Sequence, residues 1–148
     1  MRKKSSYRPR PVIRDTLAWI LEGFTPLTAK PEENVRLRLR NHLAFDGILH
    51  GDATVTDLNT LVAVSNMTTA LSRKYGQDWR EEIRAAADAI EAMQIRFIKW
   101  KKVQAVASEL DAVRLLLRIH DAQLDACRVT DLEDGIRLAR AGERSVAL

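Results

Sequence analysis

Residues 31–51, "PEENVRLRLRNHLAFDGILHG", decide the fold, because two periods compete inside them. Val35, Leu37 and Leu39 alternate with Arg36, Arg38 and Arg40, the period of two expected of a half-buried strand. A strand there would project all three arginines from one face as a basic comb. The flanking residues favour a helix. Pro31 loses no hydrogen bond in a first helical turn, and Glu32 and Glu33 suit the positive end of the helix dipole. Val35, Leu39, Leu43 and Ala44 also fall on one helical face. No other segment offers a partner strand, so the helical reading is adopted. It puts Arg36 and Arg40 on a shared solvated face and turns Arg38 away from them.

With that choice made, the chain reads as all-α: a small bundle of five to six helices behind an extended basic arm. Residues 1–14 form the arm and residues 15–148 a single helical domain. On the N-terminal side, Asp15 reads as a cap before "TLAWILEG", which Gly23 stops, and "FTPLTAKPEE" is a connector. On the C-terminal side, Thr54 and Asp57 resemble a capping box before Leu58, Leu61, Val62, Ser65 and Leu71, with Gly76 as the stop. Asp78 and Glu81 ("DWRE") are expected to open a long helix. Its apolar seam, Trp79, Ile83, Ala86, Ile90, Met93, Phe97 and Trp100, steps alternately by four and three. Ser108 with Asp111 starts the next helix, whose seam is Leu110, Val113, Leu117, His120, Leu124 and Cys127. Thr130 with Glu133 caps a last helix carrying Leu132, Ile136 and Ala139. The two long seams are expected to pack as an antiparallel hairpin, and self-association of the first stays open.

Composition fits a folded domain, with 46% hydrophobic and 30% charged residues. The net charge of +4 is unevenly placed. Residues 1–40 hold ten Lys/Arg against four Asp/Glu, whereas residues 41–148 hold fourteen against sixteen. One cysteine, Cys127, excludes an internal disulfide and suits a reducing cytoplasm. "MRKK" is not followed by the apolar stretch of a signal peptide, and no apolar run reaches membrane-spanning length, so a cytoplasmic protein without a membrane partner is expected.

Function is sought first in the arm. Arg2, Lys3, Lys4, Arg8, Arg10 and Arg14 precede the first acidic residue, Asp15. Such cations release counterions from nucleic-acid phosphates, and Tyr7 offers a ring for stacking on a base. Pro9 and Pro11 hold Arg8 and Arg10 extended. The bland alternative is a solvated tail, or one docked on an acidic protein surface. A second cluster, Arg96, Lys99, Lys101 and Lys102, surrounds Phe97 and Trp100. Basic residues interleaved with aromatics suit nucleic acid, but seam periodicity assigns both aromatics to the core, and lysine at a helix C-terminus follows from the dipole alone.

Catalytic and metal readings find little support. His120 and Cys127 lie on a seam, and Asp121 and Asp125 lie one turn apart on another face. His42 and His50 lack the spaced carboxylates or cysteines of a zinc set. No glycine-rich phosphate loop occurs. A non-enzyme with no metal and no cofactor is therefore expected.

The opening "RKKSSYRPRPV", Arg2 to Val12, resembles the start of small phage- and prophage-borne accessory proteins of proteobacteria, with weaker likeness at "HDAQLD", His120 to Asp125. That resemblance implies a setting, the cytoplasm of a bacterial host, and assigns no activity to any residue. The expectation is a non-catalytic nucleic-acid-binding accessory protein. The alternative is an inhibitor or adaptor whose arm docks an acidic surface of a host complex.

Overall fold

Pro31 does open a helix. In the computed structural model, which describes residues 31–75 and 78–146, "VRLRLR" lies inside α1, Pro31–His50, and the described residues contain no strand. The expected buried face is corrected, however. Val35, Leu39 and Leu43 face solvent, and only Ala44 of that set is buried. The inward row is Asn34, Asn41, Ala44, Phe45 and Ile48. α1 carries apolar residues on two sides, and the side with the larger Phe45 and Ile48 enters the core. Arg38 follows that side inward. Its Nε donates to Asn34 Oδ1 at 2.8 Å, and its Nη2 donates to the Asp121 carbonyl at 3.1 Å and pairs with Asp125.

α1 stops at Gly51, whose φ of 75° is the left-handed conformation glycine adopts without strain. The Thr54–Asp57 box then forms as expected. The Thr54 N–H donates to Asp57 Oδ2 at 2.8 Å, and the Asp57 N–H donates to Thr54 Oγ1 at 3.4 Å. It starts α2, Val55–Tyr75, which buries Leu58, Leu61, Val64 and Leu71. The expected stop at Gly76 lies outside the described residues.

The next three helices occur where periodicity puts them, with altered starts. α3, Arg80–Trp100, has Trp79 at its N-cap without a side-chain cap, so Asp78 does not open it. α4, Ala107–Ala126, begins from Val106, whose N–H donates to Glu109 Oε2 at 3.2 Å; Ser108 is exposed and caps nothing. α5, Val129–Val146, is capped by Asp131, whose Oδ2 accepts from the Arg128 N–H at 3.0 Å, rather than by the Thr130–Glu133 pair. Asp131 is buried and also holds Lys74 of α2, so a tertiary ion pair selects that register.

α3 and α4 form the expected antiparallel hairpin: Arg96 meets Glu109 near the connecting turn, and Ile83 and Ile119 line one cavity at the far end. α2 is central and packs on all four other helices. Leu61, Ala86, Met93, Val113, Leu116 and Leu117 make the driest layer. Full burial of each large aliphatic side chain there contributes about 1.5–3 kcal/mol. α5 closes over α2 at Gly135, where an added Cβ would lie 3.3 Å from Leu71 and Met67. The bundle therefore has two ends. One holds the first half of α1 and the end of α4. The other holds the α1–α2 and α3–α4 turns, which share a groove.

Candidate nucleic-acid interface

The seam of α3 is buried from Ile83 to Met93 and emerges beyond it. Phe97 packs half-buried against the core, as expected, but Trp100 is 63% exposed and Trp79 also stands largely in solvent. This corrects the assignment of Trp100 to the core. The heptad count runs past the length over which α3 has partners, so its last aromatic overhangs the bundle.

What holds that overhang in place is the way α3 ends. Lys101 adopts φ 54°, ψ 29°, and its N–H donates to the Phe97 carbonyl at 2.7 Å. A left-handed terminator is normally glycine, and a side chain there costs about 1 kcal/mol or more. Two residues on, Val103 is buried and pins the chain back to the core. Trp100, Lys101 and Lys102 are thus presented on a short turn fixed at both sides. Lys99 Nζ sits 4.9 Å from the centre of the Trp100 ring, within cation–π range. Lys99, Lys101 and Lys102 are all exposed.

Arg96 does not belong to this exposed group. Its guanidinium donates to the Gln104 carbonyl and pairs with Glu109, closing the α3–α4 turn. It is a structural strap whose charge is matched internally. Beside the turn runs a groove of about 530 Å³ between His50, Gly51, Lys102 and Gln104. His50 Nδ1 lies 2.9 Å from the Asp46 carbonyl and 3.3 Å from Asp46 Oδ1, which corrects the expectation that His50 lacks a carboxylate at helical spacing; both contacts raise the ring above its usual pKa. Protonated, it adds a cation to the same end.

The arm residues Arg2, Lys3, Lys4, Tyr7, Arg8, Arg10 and Arg14 lie outside the described residues. Arg36 and Arg40 are exposed on α1, as the helical reading requires, but they belong to the opposite end of the molecule. Arg38 reaches Asp121 and Asp125, whereas Arg96 reaches Glu109. Twelve residues of α4 separate Glu109 from Asp121, about 18 Å of helix. The two basic clusters are therefore separate.

Sequence reasoning missed a third basic group. Arg73 on α2 and Arg80 and Arg84 on α3 line a groove of about 600 Å³ with Thr69 and Asp88. Arg80 and Arg84 are one turn apart, a visible signal, but Arg73 joins them only through packing across the α2–α3 break.

The ligand-type residues of α4 are accounted for by burial. His120 is 4% exposed, and its Nδ1 lies 3.1 Å from Thr68 Oγ1, which itself bonds the Val64 carbonyl at 2.8 Å. Burial lowers its pKa to about 4; Asp121 and Gln123 oppose the shift, and Arg38 and Arg40 add to it. Cys127 is fully buried, and burial raises its thiol to about 11, so it stays protonated at neutral pH. Asp121 accepts from His42 at 2.8 Å. No group of three metal-ligating side chains occurs among the described residues, and no helix there is long and apolar enough to cross a membrane. Comparison of the chain with protein-family models, with curated proteins and with solved structures finds no match to any of them.

Proposed function

We propose that the protein is a non-catalytic nucleic-acid-binding accessory protein, in the phage-borne setting that its opening residues resemble. The bundle is the rigid part. Contacts come from the basic arm and from the Lys99–Trp100–Lys101–Lys102 turn. The observation that carries this reading is the exposure of Trp100 between three exposed lysines, on a turn that Val103 and the Lys101 cap hold fixed. An exposed ring flanked by cations supplies the two interactions single strands use, base stacking and phosphate neutralisation.

The test is titration of the full-length protein with a labelled single-stranded oligonucleotide. Trp100→Ala removes a stacking surface worth about 1–3 kcal/mol, a loss of roughly 5- to 150-fold in affinity. Replacing Arg2, Lys3, Lys4, Arg8, Arg10 and Arg14 by glutamine flattens the salt dependence. About five arm contacts give a log–log slope near −4 to −5 on duplex and about −3.5 on single strands. Binding that ignores both changes contradicts the proposal.

A second reading rests on a different observation. Ile95 and Ile98 stand exposed one turn apart on α3, an apolar pair that a protein partner would cover. An adaptor or inhibitor docked there keeps its partner after nuclease treatment and loses it on Ile98→Asp. A nucleic-acid binder does neither.

A further inference from the structure

α1 is apolar on two opposite sides, and the bundle uses one of them. Val35, Leu39 and Leu43 recur every four residues on the side facing away from α2 and α4, exposed by 59%, 55% and 58%. Scattered apolar exposure needs no explanation, but three such residues in one row, about 12 Å long, form a face that packing ordinarily covers.

We propose that this stripe seats the apolar row Leu17, Ile20, Leu21 and Phe24 of the same chain. Position is the first argument. The described structure begins at Pro31, the first residue of α1, and only Thr25–Lys30 separates it from Phe24. A six-residue connection joins antiparallel neighbours. The second argument is register. The row repeats at steps of three, one and three, the spacing of a face that meets another helix, and its length of about 10 Å matches the stripe. The third is charge. Asp15 and Glu22 accompany the row, while Arg36 and Arg40 stand exposed on α1. A second copy of α1 fits worse. Antiparallel pairing about Leu39 sets Glu32 against Asp46 of the other copy, like against like.

A double-mutant cycle in the full-length protein tests the seating without any ligand. Ile20→Ala, Leu39→Ala and the pair are unfolded in urea. Leu39 is outside the bundle core, so the variants fold. Each single change lowers the folding constant, and the double change lowers it less than the product by about threefold or more. A control pair, Ile20→Ala with Ile98→Ala, multiplies. Multiplication within about twofold for Ile20 and Leu39 overturns the proposal. So does a dimer, seen by sedimentation, that Leu39→Ala dissociates, because the stripe then seats a second copy. Failure of oligonucleotide binding in these proteins sinks the functional reading and leaves the cycle standing.

Discussion

His120 shows how far one residue sets a measurable property of the molecule. Its ring is buried against Thr68 on α2, close to Asp121 on its own helix and to Arg38 and Arg40 on α1, and it stays neutral down to about pH 4. In the unfolded chain it titrates near 6.5. Between those values the unfolded state binds the extra proton, so stability falls as pH falls through that window. The expected loss by pH 4 is on the order of 3 kcal/mol. His50, raised by the Asp46 carbonyl and carboxylate, works in the opposite sense: its contribution is present below 6.5 and is lost as pH rises through its folded value. Urea denaturation from pH 7 to 4 should show the decline in the native protein, and His120→Gln should lose most of the slope. Arg96 and Lys102 make a second contrast. Arg96→Ala breaks the strap to Glu109 and Gln104 and should cost about 1–3 kcal/mol. Lys102→Ala should change stability by less than about 0.5 kcal/mol and still weaken oligonucleotide binding.

At the scale of the element, α3 carries a conflict between stability and presentation. A lysine occupies the left-handed terminator that glycine fills more cheaply, and that lysine belongs to the exposed cationic turn. Lys101→Gly should raise the melting temperature, with a gain of about 1 kcal/mol, and lower affinity for single strands. Thermal melts and titrations on the same variant check both. The elements also show what was legible in the sequence. The long helices α3 and α4 were legible because seams such as Ile83–Ala86–Ile90–Met93 repeat without a mismatch, and α1 was legible from its start at Pro31, Glu32 and Glu33. The starts of α3, α4 and α5 were less so, because a Thr-x-x-Glu or Asp-x-x-Glu pattern is cheap to find. Thr130–Glu133 and Arg128–Asp131 are both available, and the ion pair from buried Asp131 to the exposed Lys74 of α2 decides between them. For α1 the period was right and the face wrong. Val35, Leu39 and Leu43 outscore Asn34 and Asn41 on hydrophobicity, yet the asparagines go inside beside Phe45 and Ile48.

At the scale of the whole molecule, charge is divided between the two ends of the bundle. Arg38 is spent on Asp121 and Asp125, Lys74 on Asp131 and Arg96 on Glu109, whereas Lys99, Lys101 and Lys102 face solvent around Trp100, apart from Arg36 and Arg40 on α1 and from the groove of Arg73, Arg80 and Arg84. That selection was hidden from the sequence, where all these cations look alike and Trp100 counts as core. It follows from where each helix ends relative to its neighbours, a property that local pattern does not encode. The three-lysine turn is therefore the most direct object of test. The slope of log affinity against log salt for a single-stranded oligonucleotide should be compared between the native protein and the Lys99→Gln, Lys101→Gln, Lys102→Gln triple variant. Removing three phosphate contacts should make that slope shallower by about 2; an unchanged slope and affinity would contradict the assignment of this turn to nucleic acid.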